Sequence, residues 1–243
     1  MDLSLVIPVR NEADNIAPLL AEIHAALSSR GDYEVIYVDD GSTDTTAQRL
    51  ADLRRVYSRL RVLRHRTACG QSAAVLTGVR AARGVWIATL DGDGQNDPAD
   101  IPVLLNARDS AGGDPKRMII GHRQQRRDSA LKRLSSQVAN AVRARLLRDR
   151  TPDTGCGLKL FARATFLSLP HFDHLHRFLP ALIWRAGGVV QSVPVQHRPR
   201  AHGRSNYGVH NRLWVGIVDL FGVLWLCRRQ CQPRVDEIEE ISD

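Results

Sequence analysis

The chain has 243 residues, a formal net charge of +8 and a hydrophobic content of 43%. This length and apolar content fit one or two globular domains and exclude a wholly disordered chain. The excess of Lys and Arg indicates an anionic partner, and the charge alone leaves nucleic acid, a phosphorylated small molecule and a membrane surface as alternatives.

Strands and helices are predicted to alternate along the first half of the chain. Apolar runs predict strands at residues 3–8, 33–40, 61–65 and 85–90. Helical spacing of apolar residues predicts helices at residues 12–29, 43–57, 72–83 and 97–108. This alternation is typical of a parallel sheet with helices on both faces, in which ligands bind beyond the carboxyl ends of the strands.

The second half of the chain is more basic and less regular. Strands are predicted at residues 118–121, 158–161 and 189–197, and helices at residues 128–148, 175–186 and 212–229. We expect residues 1–210 to form one compact domain. Residues 211–243 are expected to form an appendage of one amphipathic helix and an acidic tail.

Targeting and redox signals are few. The chain begins without a basic segment followed by an apolar one, so we expect no signal peptide and a cytoplasmic protein with reduced thiols. The four cysteines have neither zinc-finger nor disulfide-framework spacing. The longest apolar run, residues 213–227, contains Asp219 and is shorter than the roughly 18–20 residues of a membrane-spanning helix.

The motif LDGDGQNDP places several oxygen-bearing side chains directly after a predicted buried strand. Asp91, Asp93 and Gln95 offer the hard oxygen ligands that Mg²⁺ or Mn²⁺ prefers. The simpler interpretation, a turn with Asp97 as helix cap, explains only Asp97. A calcium loop beginning at Asp91 is excluded because it requires Gly at the sixth position and Glu at the twelfth. A phosphatase-type Asp nucleophile stays open as an alternative.

A second acidic motif, VDDGSTD, also follows a predicted strand. Asp39 and Asp40 are suited to accept hydrogen bonds from a nucleobase or a ribose, although a strand end followed by a capped helix is the simpler interpretation. Because both acidic motifs lie at carboxyl ends of predicted parallel strands, we expect them to line one crevice.

Four motifs together resemble the family 2 glycosyltransferases of the GT-A fold: VIPVRNE, VDDGSTD, GQSAAVLTGVRAARG and LDGDGQNDP. Two later stretches, DTGCGLKLF and RAHGRSNYG, resemble the branch of dolichol-phosphate mannose synthase and bacterial polyprenyl-phosphate glycosyltransferases. The resemblance covers about residues 3–210. It implies an α/β GT-A domain with a mostly parallel sheet, and metal-dependent, inverting transfer of a sugar from a nucleotide-diphosphate sugar to a polyprenyl phosphate.

The resemblance also implies a set of site residues. Catalytic roles fall on Asp91, Asp93, Asp153 and Arg200, and Asp93 with Gln95 is implied to hold Mg²⁺ or Mn²⁺. Contacts to the nucleotide sugar fall on Pro8, Val9, Asn11, Glu12, Asp39, Asp40, Asp91, Gly203, Arg204 and Ser205. Members of this branch often carry Lys where this chain has Asn206, and Arg204 is the candidate replacement for that cation.

The acceptor phosphate needs cations, and the candidates are Arg123, Lys132, Arg133 and Ser136. On the predicted helix at 128–148, Lys132 and Ser136 share one polar stripe, which could equally be a solvated basic face. A phosphate monoester has a second pKa of about 6 and is already ionised at neutral pH. A strong general base is therefore not required, and the role of Asp153 stays open between base and positioning residue.

The predicted helix at 212–229 carries Trp214, Phe221 and Trp225 between flanking arginines. This composition fits a helix lying at a membrane interface, with packing on the sheet or in a homo-oligomer as the alternative. Under the membrane interpretation, we expect a peripheral protein on the cytosolic face of the membrane.

Three other functions remain to be compared. The same fold could transfer sugar to a hydroxyl group of a cell-envelope glycan or lipid, which would require a true base. A basic nucleic-acid-binding module is disfavoured because aromatic residues form only 5% of the chain. A dinucleotide-binding dehydrogenase is disfavoured because no GxGxxG follows the first strand.

Overall fold

The structure is a computed structural model that describes residues 1–123, 145–147, 151–200 and 209–229, with only the backbone described for residues 209–214. The strands are β1 Leu3–Val9, β2 Tyr33–Asp39, β3 Leu60–Arg64, β4 Trp86–Thr89, β5 Arg117–Arg123, β6 Lys159–Ala162 and β7 Val189–Val195. The helices are α1 Ala13–Ala26, α2 Thr46–Val56, α3 Gln71–Ala81, α4 Ile101–Ser110, α5 Arg163–Ser168, α6 Leu175–Arg185 and α7 Val209–Arg228.

The strands form a seven-stranded sheet in the order β3-β2-β1-β4-β6-β5-β7. Strands β1 to β4 are mutually parallel, as the alternation of strands and helices predicts. Strand β6 is antiparallel to both of its neighbours, whereas β5 and β7 pair in parallel. The fold class is confirmed as α/β with a mostly parallel sheet. The reversed direction of β6 was not readable, since a four-residue strand that is buried throughout has no pattern that encodes its direction.

The sheet and its helices share one apolar core. Strand β2 is buried along its whole length, and α1 contributes Ile16 and Leu20 to the same core. Helix α3 lies directly on β1, because Gly78 has no side chain and a Cβ at this position would overlap Val6. This close packing holds the N-terminus of α3 near the carboxyl ends of β1 and β2.

Most predicted elements agree with the structure to within a few residues. Asp97 caps the predicted fourth helix, since its side chain accepts a hydrogen bond from the N–H of Ala99, and a short 3₁₀ turn at Pro98–Asp100 precedes α4. Helix α5 was missed by the sequence analysis. The predicted helix at 128–148 lies outside the described residues except for residues 145–147, which are helical.

The C-terminal helix α7 packs on α6 through a small second core of Leu147, Phe178, Ala181 and Val223. Among the described residues, none of the helices combines the length and the apolar character that crossing a membrane requires. The division into residues 1–210 and 211–243 stays a prediction.

Candidate functional site

The carboxyl ends of β1, β2 and β4 lie at one edge of the sheet, as the prediction of a shared crevice requires. The loop after β4 lies over the end of β1. Gly92 of this loop is so close to Val9 that a Cβ at Gly92 would overlap the Val9 side chain. The loop that leads into β6 lies against Asp91, because a Cβ at Gly157 would overlap the Asp91 carboxylate. Three motifs that are far apart in sequence are therefore in contact at this edge.

Arg200 connects the first motif with the fourth. Its Nη2 donates to Asp93 Oδ2 at 2.7 Å, and its Nη1 lies 3.3 Å from Glu12 Oε1. Burial raises the pKa of Glu12, against the hydrogen bond from Asn15 and the charge of Arg200. Asp93 and Arg200, which were predicted separately as catalytic residues, thus form an ion pair, and Glu12 is a second carboxylate partner of Arg200.

The segment before Arg200 runs along the fourth motif. The N–H of Arg198 donates to the carbonyl oxygen of Gln95 at 2.9 Å, and Asn96 pairs with His197 as an antiparallel bridge. The Arg198 guanidinium lies 2.6 Å from Asp97 and 2.7 Å from Glu22. Sequence reasoning missed Arg198, and the basic run around residues 198–200 was the available signal.

Asp91 is held from the third motif. Gln71, the first residue of α3, donates its Nε2–H to Asp91 Oδ1 at 2.8 Å. Burial and the charge of Asp93 raise the pKa of Asp91, whereas the charges of Lys159 and Arg123 act to lower it. Gln71 belongs to the GQSAA motif but was not among the predicted site residues.

Asp93 and Gln95 fit a hard divalent cation. Both residues offer side-chain oxygen ligands from the same loop. The Asp93 carboxylate also contacts the Arg200 guanidinium, so a metal ion would share this carboxylate with Arg200. The Gln95 side chain donates its Nε2–H to the carbonyl oxygen of Arg198 at 3.5 Å, which leaves its amide oxygen as the ligand atom. Mg²⁺ is typically bound through few carboxylates, with water and phosphate completing its shell.

Asp39 and Asp40 are both buried, and each has partners within the protein. Asp39 Oδ1 accepts a hydrogen bond from the N–H of Ser42 at 2.9 Å, and Arg64 Nε lies 3.2 Å from Asp39 Oδ2. Asp40 accepts from the N–H groups of Cys69 and Gly70, each at 2.8 Å. Asp40 therefore also anchors the loop at Cys69 and Gly70 that leads into α3.

The His65 ring is a further partner of Asp40, with Nδ1 at 2.7 Å from Oδ1. Burial opposes ionisation of Asp40, but the N–H of Cys69, the His65 ring and the N–H of Gly70 together lower its pKa. Ligand atoms of Asp40, His65 and Cys69 lie within 4.8 Å of one another, a cluster that the sequence analysis missed. Asp40 Oδ1 already has two hydrogen-bond partners, the N–H of Cys69 and the His65 ring, so the geometry favours a loop anchor over a metal site.

Asn11 joins the ends of β1 and β2. It adopts a left-handed conformation with φ 56°. Its N–H donates to Ser42 Oγ and its Oδ1 accepts from the N–H of Thr43, each at 2.9 Å. This bridge holds the predicted base-binding loops of the first two motifs together.

Asp153, which is buried, and Arg123, which is largely buried, form an ion pair. Arg123 Nε and Nη2 donate to the two carboxylate oxygens of Asp153 at 2.6 and 2.7 Å. Burial acts to lower the pKa of Arg123, and the Asp153 carboxylate outweighs it and raises that pKa. The sequence analysis assigned these residues to different roles, Arg123 as a cation for the acceptor phosphate and Asp153 as a base or a positioning residue.

Lys159 is a second buried cation in this part of the site. Its Nζ donates to the carbonyl oxygen of Cys156. Burial lowers the pKa of Lys159, and the nearby Asp91 carboxylate opposes that shift. Lys159, Gln71 and His176 line a small cavity beside Asp91. Lys159 was missed because an isolated Lys in an apolar strand resembles a surface residue.

Six of the predicted site residues lie outside the described residues. They are the acceptor candidates Lys132, Arg133 and Ser136, and the loop residues Gly203, Arg204 and Ser205. Their assignments stay predictions.

The model of glycosyl transferase family 2 matches residues 4–167. The chain belongs to this family. The family identified from the four motifs is therefore confirmed, and the phosphatase and nucleic-acid interpretations are set aside. The chain is a glycosyltransferase.

The names of two curated relatives of this glycosyltransferase contain a polyprenyl phosphate and a sugar. Dodecaprenyl-phosphate galacturonate synthase of Rhizobium johnstonii is 36% identical over 243 residues, which cover 96% of this chain and 69% of that protein. Undecaprenyl-phosphate 4-deoxy-4-formamido-L-arabinose transferase of Edwardsiella ictaluri is 35% identical over 210 residues, which cover 85% of this chain and 63% of that protein. The chain thus spans only about two thirds of the length of these relatives.

Solved structures show the same fold. A mannosyltransferase from Pyrobaculum calidifontis in complex with GDP-Man and Mn²⁺ has a TM-score of 0.68 at 20% identity, covering 95% of this chain and 65% of that one. Glucosyl-3-phosphoglycerate synthase from Mycobacterium tuberculosis in complex with Mn²⁺ and UDP-Glc has a TM-score of 0.65 at 19% identity, covering 93% and 78%. The α/β GT-A fold of this glycosyltransferase is therefore confirmed.

Proposed function

We propose that this glycosyltransferase transfers a sugar from a nucleotide-diphosphate sugar to a polyprenyl phosphate, with inversion at the anomeric carbon. The observation that carries the proposal is the convergence of Asp91, Asp93 and Arg200 at one edge of the sheet. It occurs in a chain 36% identical to a dodecaprenyl-phosphate galacturonate synthase. An acidic pair beside an arginine suits a site that binds a diphosphate together with a cation.

Asp93 and Gln95 would hold Mg²⁺ or Mn²⁺ in this proposal. Bound there, the ion would stabilise the negative charge that grows on the departing nucleoside diphosphate. Structures of related fold in complex with Mn²⁺ or Mg²⁺ and a uridine nucleotide support a divalent ion in such a site.

Arg200 and the first two motifs would bind the donor. The Arg200 guanidinium forms ion pairs with Asp93 and Glu12. It would therefore lie where it can donate hydrogen bonds to the oxygens of a bound diphosphate. The base and ribose would contact Pro8, Val9, Asn11, Glu12, Asp39 and Asp40, and the diphosphate would contact Asp91 and the loop Gly203, Arg204 and Ser205.

The acceptor phosphate oxygen would attack the anomeric carbon from the face opposite the leaving diphosphate. The new carbon–oxygen bond forms as the bond to the diphosphate breaks, and the diphosphate leaves with the electron pair. An ionised phosphate has no proton to lose, so a base is not needed. Asp153, paired through both oxygens with Arg123, would position Arg123 for the acceptor phosphate, with Lys132, Arg133 and Ser136 as further contacts.

A lipid-linked acceptor requires the site to reach a membrane surface. We therefore place the enzyme peripherally on the cytosolic face of the membrane, where nucleotide sugars are available. A homo-oligomer is compatible with this arrangement.

The decisive experiment is a transfer assay with the purified chain. UDP- and GDP-sugars are offered with undecaprenyl phosphate in detergent, with Mn²⁺ or Mg²⁺ and then with EDTA. We expect a lipid-linked sugar that depends on the metal and is lost in Asp93→Asn. The matched control is Asp52→Asn, which removes a half-exposed carboxylate on α2.

Donor cleavage without any lipid product would contradict the polyprenyl acceptor. It would favour the second candidate, transfer to a hydroxyl group of a cell-envelope glycan or lipid. That reaction needs a base, so Asp153→Asn would then abolish turnover rather than reduce it.

A further inference from the structure

Helix α7 has two chemically distinct faces. Its inner face packs on α6, where Val223 is 1% exposed and Leu220, Leu224 and Cys227 contact the same small core. The packing alternative of the sequence analysis is therefore met on this face, against α6 rather than the sheet, and the membrane alternative stays a prediction for the other face.

The outer face of α7 is an exposed apolar stripe of Val218, Phe221 and Trp225. These side chains are 68%, 63% and 60% exposed. Their spacing of three and four residues aligns them along one side of the helix. Large apolar side chains that are contiguous and this exposed are typical of an interaction surface.

The stripe ends in cations. Arg228 and Arg229 are both exposed, and the Arg229 guanidinium lies 6.0 Å from the centre of the Trp225 ring. Trp next to Arg at the end of an apolar helix face is the composition of helices that lie in the headgroup region of a membrane.

The stripe is also fixed relative to the candidate site. Arg185 of α6 donates to the carbonyl oxygens of Leu226 and Arg229 at 2.8 and 3.2 Å, which holds the end of α7. At its other end, α6 carries His176, which lies 2.7 Å from Ser72 Oγ and lines the cavity beside Asp91. Helix α6 therefore connects the stripe with the site.

We propose that Val218, Phe221 and Trp225, with Arg228 and Arg229, form the surface on which this enzyme lies on a bilayer that contains anionic lipids. The apolar side chains enter the boundary between headgroups and acyl chains, and the arginines contact lipid phosphates. This inference rests on the proposed function, since a polyprenyl phosphate is delivered from a bilayer.

The charge of the chain favours a bilayer over a second copy as the occupant. Two stripes packed against each other would offer the cationic end of each, Arg228 and Arg229, no free carboxylate from the described part of α7, because its one acidic residue, Asp219, lies 3.0 Å from His174. An anionic lipid surface instead complements Arg228 and Arg229, and each Lys or Arg near such a surface strengthens binding.

The test is flotation of the full chain with phosphatidylcholine vesicles, with and without phosphatidylglycerol. We expect binding that increases with phosphatidylglycerol and falls by about tenfold or more in Phe221→Ser/Trp225→Ser, because the apolar anchor is lost. Val56→Ser is the matched control, since Val56 is 76% exposed on α2, and it should bind like the wild type. Arg228→Gln/Arg229→Gln should abolish most of the increase due to phosphatidylglycerol.

Circular dichroism shows whether the double variant is folded, and Val218→Asp tests the same stripe if it is not. Equal vesicle binding by the wild type and a folded stripe variant would overturn the proposal. A dimer in size-exclusion chromatography that the stripe variant loses, without vesicle binding by the wild type, would assign the stripe to a second copy instead.

The transfer assay in detergent separates this inference from the proposed function. Transfer that persists while vesicle binding is absent would overturn the docking surface and leave the function intact. Vesicle binding that depends on the stripe, without transfer to undecaprenyl phosphate, would leave the docking surface intact and remove the polyprenyl acceptor.

Discussion

Arg123 and Asp153 are joined by two hydrogen bonds, from Nε to Oδ2 at 2.6 Å and from Nη2 to Oδ1 at 2.7 Å. Both side chains are nearly buried, with Asp153 4% exposed. A carboxylate held in this way is a poor proton acceptor, because protonation would break a charge-assisted pair. The pair therefore supports acceptor chemistry that needs no base.

Asp153→Asn should reduce transfer without abolishing it. The change leaves Arg123 without its carboxylate, and breaking a buried ion pair typically destabilises a fold by about 3–5 kcal/mol. We expect a lower melting temperature, a higher KM for the lipid phosphate and an unchanged pH profile of kcat. Loss of the acidic limb of that profile, where a base becomes protonated, would instead identify Asp153 as a base. The double variant Arg123→Gln/Asp153→Asn should be less destabilised than the sum of the two single variants.

Arg200→Gln should lower kcat by roughly 10²-fold, the effect typical of removing one electrostatic group from a transition state. The reason is that Arg200 is the cation that contacts Asp93 and Glu12. Arg198→Gln is the matched control, since Arg198 contacts Asp97 and Glu22 instead. Steady-state kinetics with a nucleotide sugar distinguishes the two, and equal losses in both variants would contradict a special role of Arg200.

Gly157→Ala should destabilise the protein by about 1–3 kcal/mol, the usual effect of overpacking a buried position. A Cβ at this position would overlap the Asp91 carboxylate and lie 2.7 Å from Asn96 Oδ1. Activity should fall with stability, because Asp91 must move. Gly31→Ala is the control, since a Cβ there meets no atom within 4 Å. Thermal unfolding of both variants measures the difference in melting temperature. Equal melting temperatures would show that the loop around Gly157 accommodates a Cβ without strain.

Asp40 should make the stability of the fold depend on pH. Its pKa is lowered in the folded state, so its ionised form stabilises the fold above the unfolded-state pKa of about 3.9. That contribution is lost as the pH falls through the lower folded-state pKa. Asp40→Asn should therefore lower the melting temperature at neutral pH, and the difference from the wild type should shrink in acid. A difference that is constant from pH 7 to about pH 3 would contradict this ionisation.

Some secondary-structure elements could be predicted from the sequence and others could not. Strands β1 to β4 and the helices between them were predictable because an apolar run or a 3.6-residue period is a local property of the chain. Helix α5 has only six residues, Arg163–Ser168, and so it offers too few turns for a periodic pattern. Asp39, Asp40, Asp91 and Asp93 could be singled out because they directly follow predicted strands, and their roles in ligand binding stay predictions.

Residue roles were less predictable than residue identities. Asp40 also anchors the loop at Cys69 and Gly70, and Gln71 reaches Asp91 from another motif. Such partners come from segments that only the folded sheet brings together, and no local pattern encodes them.

By itself the sequence determined the alternation of strands and helices, the acidic motifs at the strand ends and the family, because each is written in neighbouring residues. Only the tertiary structure decided that Asp153 pairs with Arg123, that Arg200 joins Asp93 to Glu12, and that Val218, Phe221 and Trp225 stay exposed on α7. The physical reason is that pairing and exposure depend on which distant surfaces the sheet order and helix packing place in contact.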